Sequence, residues 1–273
     1  MKSYATVYNR RCKPLMGTFV EIGLLGATEA IFVDAFSAIN KVSRLMSFHD
    51  EESDLSRLNR APIGQWITLD NQIIEVLKVA LEIQIQSGGL FNVAIAQPLM
   101  FWKILPGETS NAGLKYLSSA GFEVQGMKAR RILPVKIDLG GIAKGYAVDR
   151  AVVAIQKHSR EISGIVNAGG DLRVFGETEH PIWIQDGITT SSKKYFTKLR
   201  NTSLATSSVI PLKKISNYID PISCQLLLEK KTAIARAEHC VLADAFTKVA
   251  LLLPFDQASE LGSRFHVDLS LVS

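Results

Sequence analysis

One domain that mixes helices with strands is the fold this sequence predicts, on three observations. Apolar residues recur at helical spacing in several segments, short β-branched runs lie between those segments, and no polar or low-complexity linker divides the 273 residues. A chain of this length can bury a large core, and 47% hydrophobic with 21% charged residues is ordinary for a globular protein.

"GTFVEIGLLG", residues 17–26, has the content of an early strand, and "EAIFVDAFSAINKVSRLM" repeats apolar residues at Ile31, Ala35, Ile39, Val42 and Met46. Strand then helix is the opening. "SFHDEESDLSRLNRAPIG" is polar and rich in turn formers, so it reads as a loop. "DNQIIEVLKVALEIQIQSGGL" is a second amphipathic helix closed by Gly88 and Gly89. A short helix is expected around "AGLKYLSSAGF", residues 112–122, then strands near "ILPVKIDL", residues 132–139, and a helix from Ile142 to about His158. "GIVNA" and "GGDLRVFG" are strands, followed by several short β segments between Ile182 and Ile234. The last helix expected is "VLADAFTKVALLL", apolar on more than one side and therefore buried.

Composition excludes several function classes. The net charge of +5 is spread over short groups such as Lys213-Lys214 and Lys230-Lys231, a solvated surface rather than the continuous basic stripe of a nucleic-acid site. The N-terminal stretch has basic residues but no apolar core, and Cys12 does not follow a hydrophobic run, so neither signal peptide nor lipoprotein anchor is read. No apolar run reaches the length of about 18 residues that spans a membrane, and a cytoplasmic location is expected. Cys12, Cys224 and Cys240 are too few and scattered for a disulfide framework or zinc cluster. G-x-G-x-x-G, the P-loop pattern, G-x-S-x-G and H-E-x-x-H are all missing.

What remains is two glycine-rich turns, 137–145 and 167–171, each beside a carboxylate, and one acid, Asp244, in an apolar helix. Each turn alone is either a tight turn that needs positive φ or a phosphate cradle. Lys144 falls in the first turn of a helix, where the macrodipole disfavours a cation unless an anion sits beside it, and a bound phosphate would supply that anion. A buried Asp244 needs a cation, a hydrogen-bonding network or a metal.

Here the residues carry a resemblance. "PLMGTFVEI", "MSFHDEESDLSRLN", "SGGLFNVAIAQPL", "IDLGGIAKGYAVDRAV", "NAGGDLRVFG", "LATSS", "YIDP" and "CVLADAFTKVALLL" occur in the order and spacing of the FAD:protein FMN transferase (ApbE) family, over roughly residues 13–253. The resemblance implies an α+β fold related to the T-fold, with antiparallel or mixed sheets and packed helices. It implies Mg²⁺-dependent transfer of FMN from FAD, the substrate, to a Ser or Thr hydroxyl of a partner flavoprotein, releasing AMP. The flavin and nucleotide contacts it implies are Met16, His49, Leu90, Phe91, Asn92, Asp138, Lys144 and Tyr218, with Lys144 on the diphosphate. The implied metal ligands are the Gly141 carbonyl and Asp244, with Thr247 as the nearest hydroxyl.

The departures are specific. Asn92 stands where most members carry Asp, which keeps hydrogen bonding and removes acid–base capacity. His49 replaces a Tyr, and Asn217 replaces the histidine that is the family's candidate base for the acceptor hydroxyl; His49 and His239 are the possible substitutes. The family's D-A-x-x-T helix motif becomes Asp244 with Lys248 at i+4, leaving Thr247 at i+3. Either Thr247 reaches a retained cation, the reading favoured here, or Lys248 pairs with Asp244 and takes the cation's place. A FAD-binding protein without transfer, or a FAD pyrophosphatase yielding FMN and AMP, are the alternative functions.

Overall fold

The computed structural model describes residues 8–107, 120–185, 193–210 and 216–272. Nearly all of the helix expected over 112–122, and the Lys213-Lys214 pair, lie outside them. The chain opens with β1 (Tyr8–Leu15), β2 (Thr18–Leu25), α1 (Glu29–Met46), α2 (Asp54–Arg60), β3 (Ile67–Thr68), α3 (Asn71–Gln86) and α4 (Ala96–Phe101). It continues through β4 (Phe122–Gln125), β5 (Lys128–Arg131), α5 (Ala143–Gln156), β6 (Gly164–Ala168) and β7 (Asp171–Phe175). It then runs through β8 (His180–Gln185), β9 (Lys193–Leu199), β10 (Thr202–Val209), β11 (Lys231–Ala237), α6 (Cys240–Leu252), α7 (Phe255–Arg264) and β12 (Asp268–Val272).

An antiparallel seven-stranded sheet in the order β1-β2-β6-β7-β10-β11-β12 carries the helices on one face, and the β8-β9 pair packs on the other. The two-residue alternation of a strand sorts side chains between these faces. On β7, Leu172 and Val174 join Ile182, Leu199, Leu204 and Ile234 under β8-β9, while Asp171, Arg173 and Phe175 face the helices. On β10 and β11 the helix face is lined by Ala205, Ser207, Ala233 and Ala235, small residues that let α6 lie close to the sheet.

The helices end as their sequences dictate. α1 buries Ile31, Ala35, Ile39, Val42 and Met46, the residues its periodicity named. α3 stops in a Schellman motif: the Gly89 N–H donates to the Gln84 carbonyl at 2.8 Å, the Gly88 N–H to that of Ile85 at 3.3 Å, and both glycines have positive φ.

Four expectations change. The polar stretch after α1 contains α2, nucleated by the Ser53 side chain accepting from the Ser56 N–H at 3.0 Å and by burial of Leu55 and Leu58 at i and i+3. Residues 132–139 open with a bend and join no sheet; β4 and β5 precede them. The side-chain amide of Asn59 takes the place of a neighbouring strand, accepting from the Ile137 N–H at 2.7 Å and donating to its carbonyl at 2.8 Å. β1 was hidden by its charges; as an edge strand it carries Arg10, Arg11, Lys13 and Pro14, residues that suit an edge and discourage further pairing. Finally, α7 and β12 follow α6, burying Ala258 and Leu261 and pairing Leu269 and Leu271 with β11. Among the described residues no helix is long and apolar enough to cross a membrane.

Asn59→Ala orphans a buried N–H and a buried carbonyl together. It should destabilise the chain by about 2–6 kcal/mol, at roughly 1–3 kcal/mol for each of the two unsatisfied groups. Urea denaturation with an unchanged m-value is the check.

Candidate functional site

A cleft of about 540 Å³ opens where the β1-β2 turn, the end of α1, the 90–93 loop, the turn before α5, the 217–219 segment and one face of α6 meet. It is lined by Met16, His49, Leu90, Phe91, Asn92, Asp138, Gly141, Lys144 and Tyr218, so the structure brings together every expected flavin and nucleotide contact and the expected backbone ligand. Asn217 and Lys248 line it too, whereas Asp244 and Thr247 lie beneath its surface, fully buried. His239 sits outside the cleft, with its Nδ1 3.2 Å from the Arg173 guanidinium.

Local chemistry fixes each wall. Met16 occupies the left-handed region at φ 53° in the two-residue turn between β1 and β2, a conformation a bulky side chain seldom adopts. The Asn92 Oδ1 accepts from the Ala94 N–H at 2.8 Å, so its amide holds the loop that presents Phe91. Asp138 is anchored by its own N–H on the Val93 carbonyl at 2.8 Å, and its Oδ2 accepts from the Gly140 N–H at 3.0 Å. Burial raises the Asp138 pKa, against the pull of the Gly140 N–H and of nearby His49 in the other direction.

The floor is set by α5 meeting α6. A Cβ on Gly145 would stand 2.3 Å from the Cys240 carbonyl oxygen and 2.7 Å from the Asp244 Cβ, so only glycine permits this approach. The Gly145 N–H then donates to the Asp244 Oδ2 at 2.9 Å, which satisfies a free amide of the α5 N-terminus. One turn along α5, Asp149 caps α6 by accepting from the Cys240 and Val241 N–H groups at 3.0 and 2.9 Å, and Arg173 holds it at 2.6 Å.

This approach joins two half-buried lysines to two buried aspartates. The Lys144 Nζ pairs with the Asp171 Oδ2 and lies 3.9 Å from the Asp244 Oδ2, while the Lys248 Nζ pairs with the Asp244 Oδ1 and donates to the Asp244 carbonyl at 2.9 Å. The anion beside Lys144 is thus a carboxylate of the chain itself, and Asp171 is the site residue the sequence reading left without a role, although its place after the 167–170 turn had marked it. Burial lowers the Lys144 pKa, but Asp244 and Asp171 outweigh it and the net shift is upward. Asp171 rises to about 6 through burial and the neighbouring Asp244 charge. Asp244 is lowered: burial raises it, and the two lysines more than compensate.

The residues expected to hold Mg²⁺ do not fit it. Both Asp244 carboxylate oxygens are engaged, and the Thr247 hydroxyl is spent between Ser207 and the Asp244 carbonyl, each at 2.7 Å. The Lys248 side chain packs beside Gly141, its Cε 3.8 Å from where a Gly141 Cβ would stand, and ends on the Asp244 carboxylate. Mg²⁺ needs open oxygens in octahedral array, and a cation about 4 Å from an ammonium is repelled by about 4 kcal/mol per unit charge at an effective dielectric of about 20. Among the described residues no group of three or more His, Cys, Asp or Glu could hold a metal.

The sequence model of the ApbE family matches residues 16–271. The chain belongs to the ApbE family. A Buchnera aphidicola protein named FAD:protein FMN transferase is 21% identical over 260 residues, covering 86% of this chain and 76% of its own length. A Klebsiella pneumoniae protein of the same name is 22% identical over 173 residues, 60% of this chain, and the match spans 54% of that relative. Among solved structures, the apo flavinyl transferase ApbE of Pseudomonas stutzeri superposes with a TM-score of 0.86 at 18% identity, covering 100% of this chain and 93% of that one. An ApbE protein from Thermotoga maritima gives 0.83 at 22%, covering 97% and 94%. The α+β fold with antiparallel sheets is therefore the ApbE family's fold.

The two aspartates give opposite pH signatures. Asp171 binds its proton more tightly folded than unfolded, so its contribution to stability falls as pH rises from about 4 to about 6. Asp244, held low, contributes stability that is complete above the usual carboxylate range and lost only as pH falls through its folded value. Thermal melts from pH 4 to 7 should show the stability of Asp171→Asn falling less across that window than that of the native chain.

Proposed function

We propose that this chain is an FAD:protein FMN transferase, the name its relatives bear, moving the FMN part of FAD onto a Ser or Thr hydroxyl of a target flavoprotein and releasing AMP. The observation that carries the reading is the cleft itself: apolar and aromatic walls at Met16, Phe91 and Tyr218 above an ammonium, Lys144, at the N-terminus of α5. An aromatic-lined cavity with a few convergent polar groups suits an isoalloxazine ring, and an ammonium at a helix N-terminus suits a diphosphate. The proposal takes residues 1–273 as one transferase domain, supported by a core cluster continuous from β2 to Val267.

In this reaction the acceptor oxygen bonds to the FMN-side phosphorus and the bond from that phosphorus to the bridging oxygen breaks. AMP leaves with the bridging oxygen, and the hydroxyl proton is lost to a base. Lys144 faces the charge that develops on the diphosphate, where a preorganised donor is most effective. Asn217 accepts no proton; among the described residues lining the cleft, Asp138 and His49 are the groups able to. Mg²⁺, expected from the resemblance, enters no step, because the donors present do not accommodate it.

Incubating the purified chain with FAD, Mg²⁺ and a flavoprotein acceptor domain tests the reading, with Mg²⁺ included so that metal demand does not affect the result. AMP release with in-gel flavin fluorescence on the acceptor is expected. AMP with free FMN makes it a pyrophosphatase, and bound FAD without AMP makes it a flavin-binding protein. The paired change Lys144→Met with Asp171→Asn leaves no unmatched buried charge at that pair, and should weaken FAD binding by about ten- to a hundredfold through loss of one charge-assisted contact.

A further inference from the structure

We propose that Lys248 does the work of a divalent cation in this chain, so that the cleft takes the diphosphate of its dinucleotide on two ammonium groups, Lys144 and Lys248, with no metal between Asp244 and the Gly141 carbonyl. The proposal rests on the flavin reading for the identity of the anion, and on geometry for the rest. Lys248 lines the cleft, packs beside Gly141 and ends on the Asp244 carboxylate and carbonyl. With Lys144 it balances the two buried carboxylates, Asp171 and Asp244, charge for charge. In the chain without its dinucleotide, a divalent ion there would add two positive charges beside a fixed ammonium.

The position on the helix makes the exchange possible. Residues i and i+4 share a face, so the Lys248 stem rises from directly above Asp244 and its ammonium returns to that carboxylate. Thr247, at i+3, turns instead toward β10 and is held by Ser207, which leaves the cleft side of Asp244 to Lys248. A lysine is a compact cation with three donors, so it can hold the carboxylate and still direct an N–H into the cleft toward an anion.

Mn²⁺, the spectroscopic stand-in for Mg²⁺, is titrated into the metal-free chain without FAD, and the free-ion paramagnetic resonance signal is followed. For the native chain that signal should track the added Mn²⁺. Lys248→Thr and Lys248→Ala, each confirmed folded by its melting curve, should take up a stoichiometric ion at the carboxylate they release. FAD affinity, read from flavin fluorescence, should be equal in EDTA and in Mg²⁺ for the native chain. In Lys248→Ala it should fall by roughly tenfold in EDTA and recover with Mg²⁺. Stoichiometric Mn²⁺ uptake by the native chain, or FAD binding that requires Mg²⁺, overturns the proposal. Failure to bind FAD under either condition overturns the flavin reading, and the Mn²⁺ titration still decides Lys248.

Discussion

The approach of α5 to α6 at Gly145 is the constraint on which the rest of the site depends. With no side chain at that position, the Asp244 carboxylate sits under the N-terminus of α5 and takes its Gly145 N–H. A fully buried acid is costly unless it is paired and hydrogen-bonded, and Asp244 is both. Lys144 then enters the same space from α5 and Lys248 from α6. Asp149 fixes the register one turn away, where it caps α6 and meets Arg173 of β7.

The sheet makes this crossing possible and supplies its remaining charge. Small residues along the helix face of β10 and β11 let α6 settle close to the strands. The alternation of β7 sends Asp171 and Arg173 up to α5 while Leu172 and Val174 go under β8-β9. A slip of one residue in β7 would exchange those sets, burying two apolar side chains against a charged network and leaving Lys144 without its partner.

Much of this was legible in the sequence because it depends on periodicity and on short motifs. α1, α3, α5 and α6 followed their apolar spacing, and the two glycine-rich turns with Lys144 and Asp244 identified the site's floor. What escaped depends on partners distant in the chain. Asn59 replaces a strand for Ile137 across 78 residues, so the apolar run 132–139 reads as a strand in the sequence and joins no sheet. β1 hides its pairing behind edge charges, and α2 rests on two leucines and a cap. The partner of Lys144 required knowing that β7 lies beneath α5, and the competition between Lys248 and a metal was visible as two alternatives that spacing alone left open.

The charge balance ties fold to function: two lysines offset two buried aspartates, and the same ammonium groups are those a diphosphate would meet in the cleft. A diffraction structure of the chain with FAD and Mg²⁺ tests this most directly. The account predicts diphosphate oxygens within hydrogen-bonding distance of both Lys144 and Lys248, with Lys248 still paired to Asp244 beside Gly141. A diphosphate seated away from the α5 N-terminus, or Lys248 swung clear with a metal on Asp244, would contradict it.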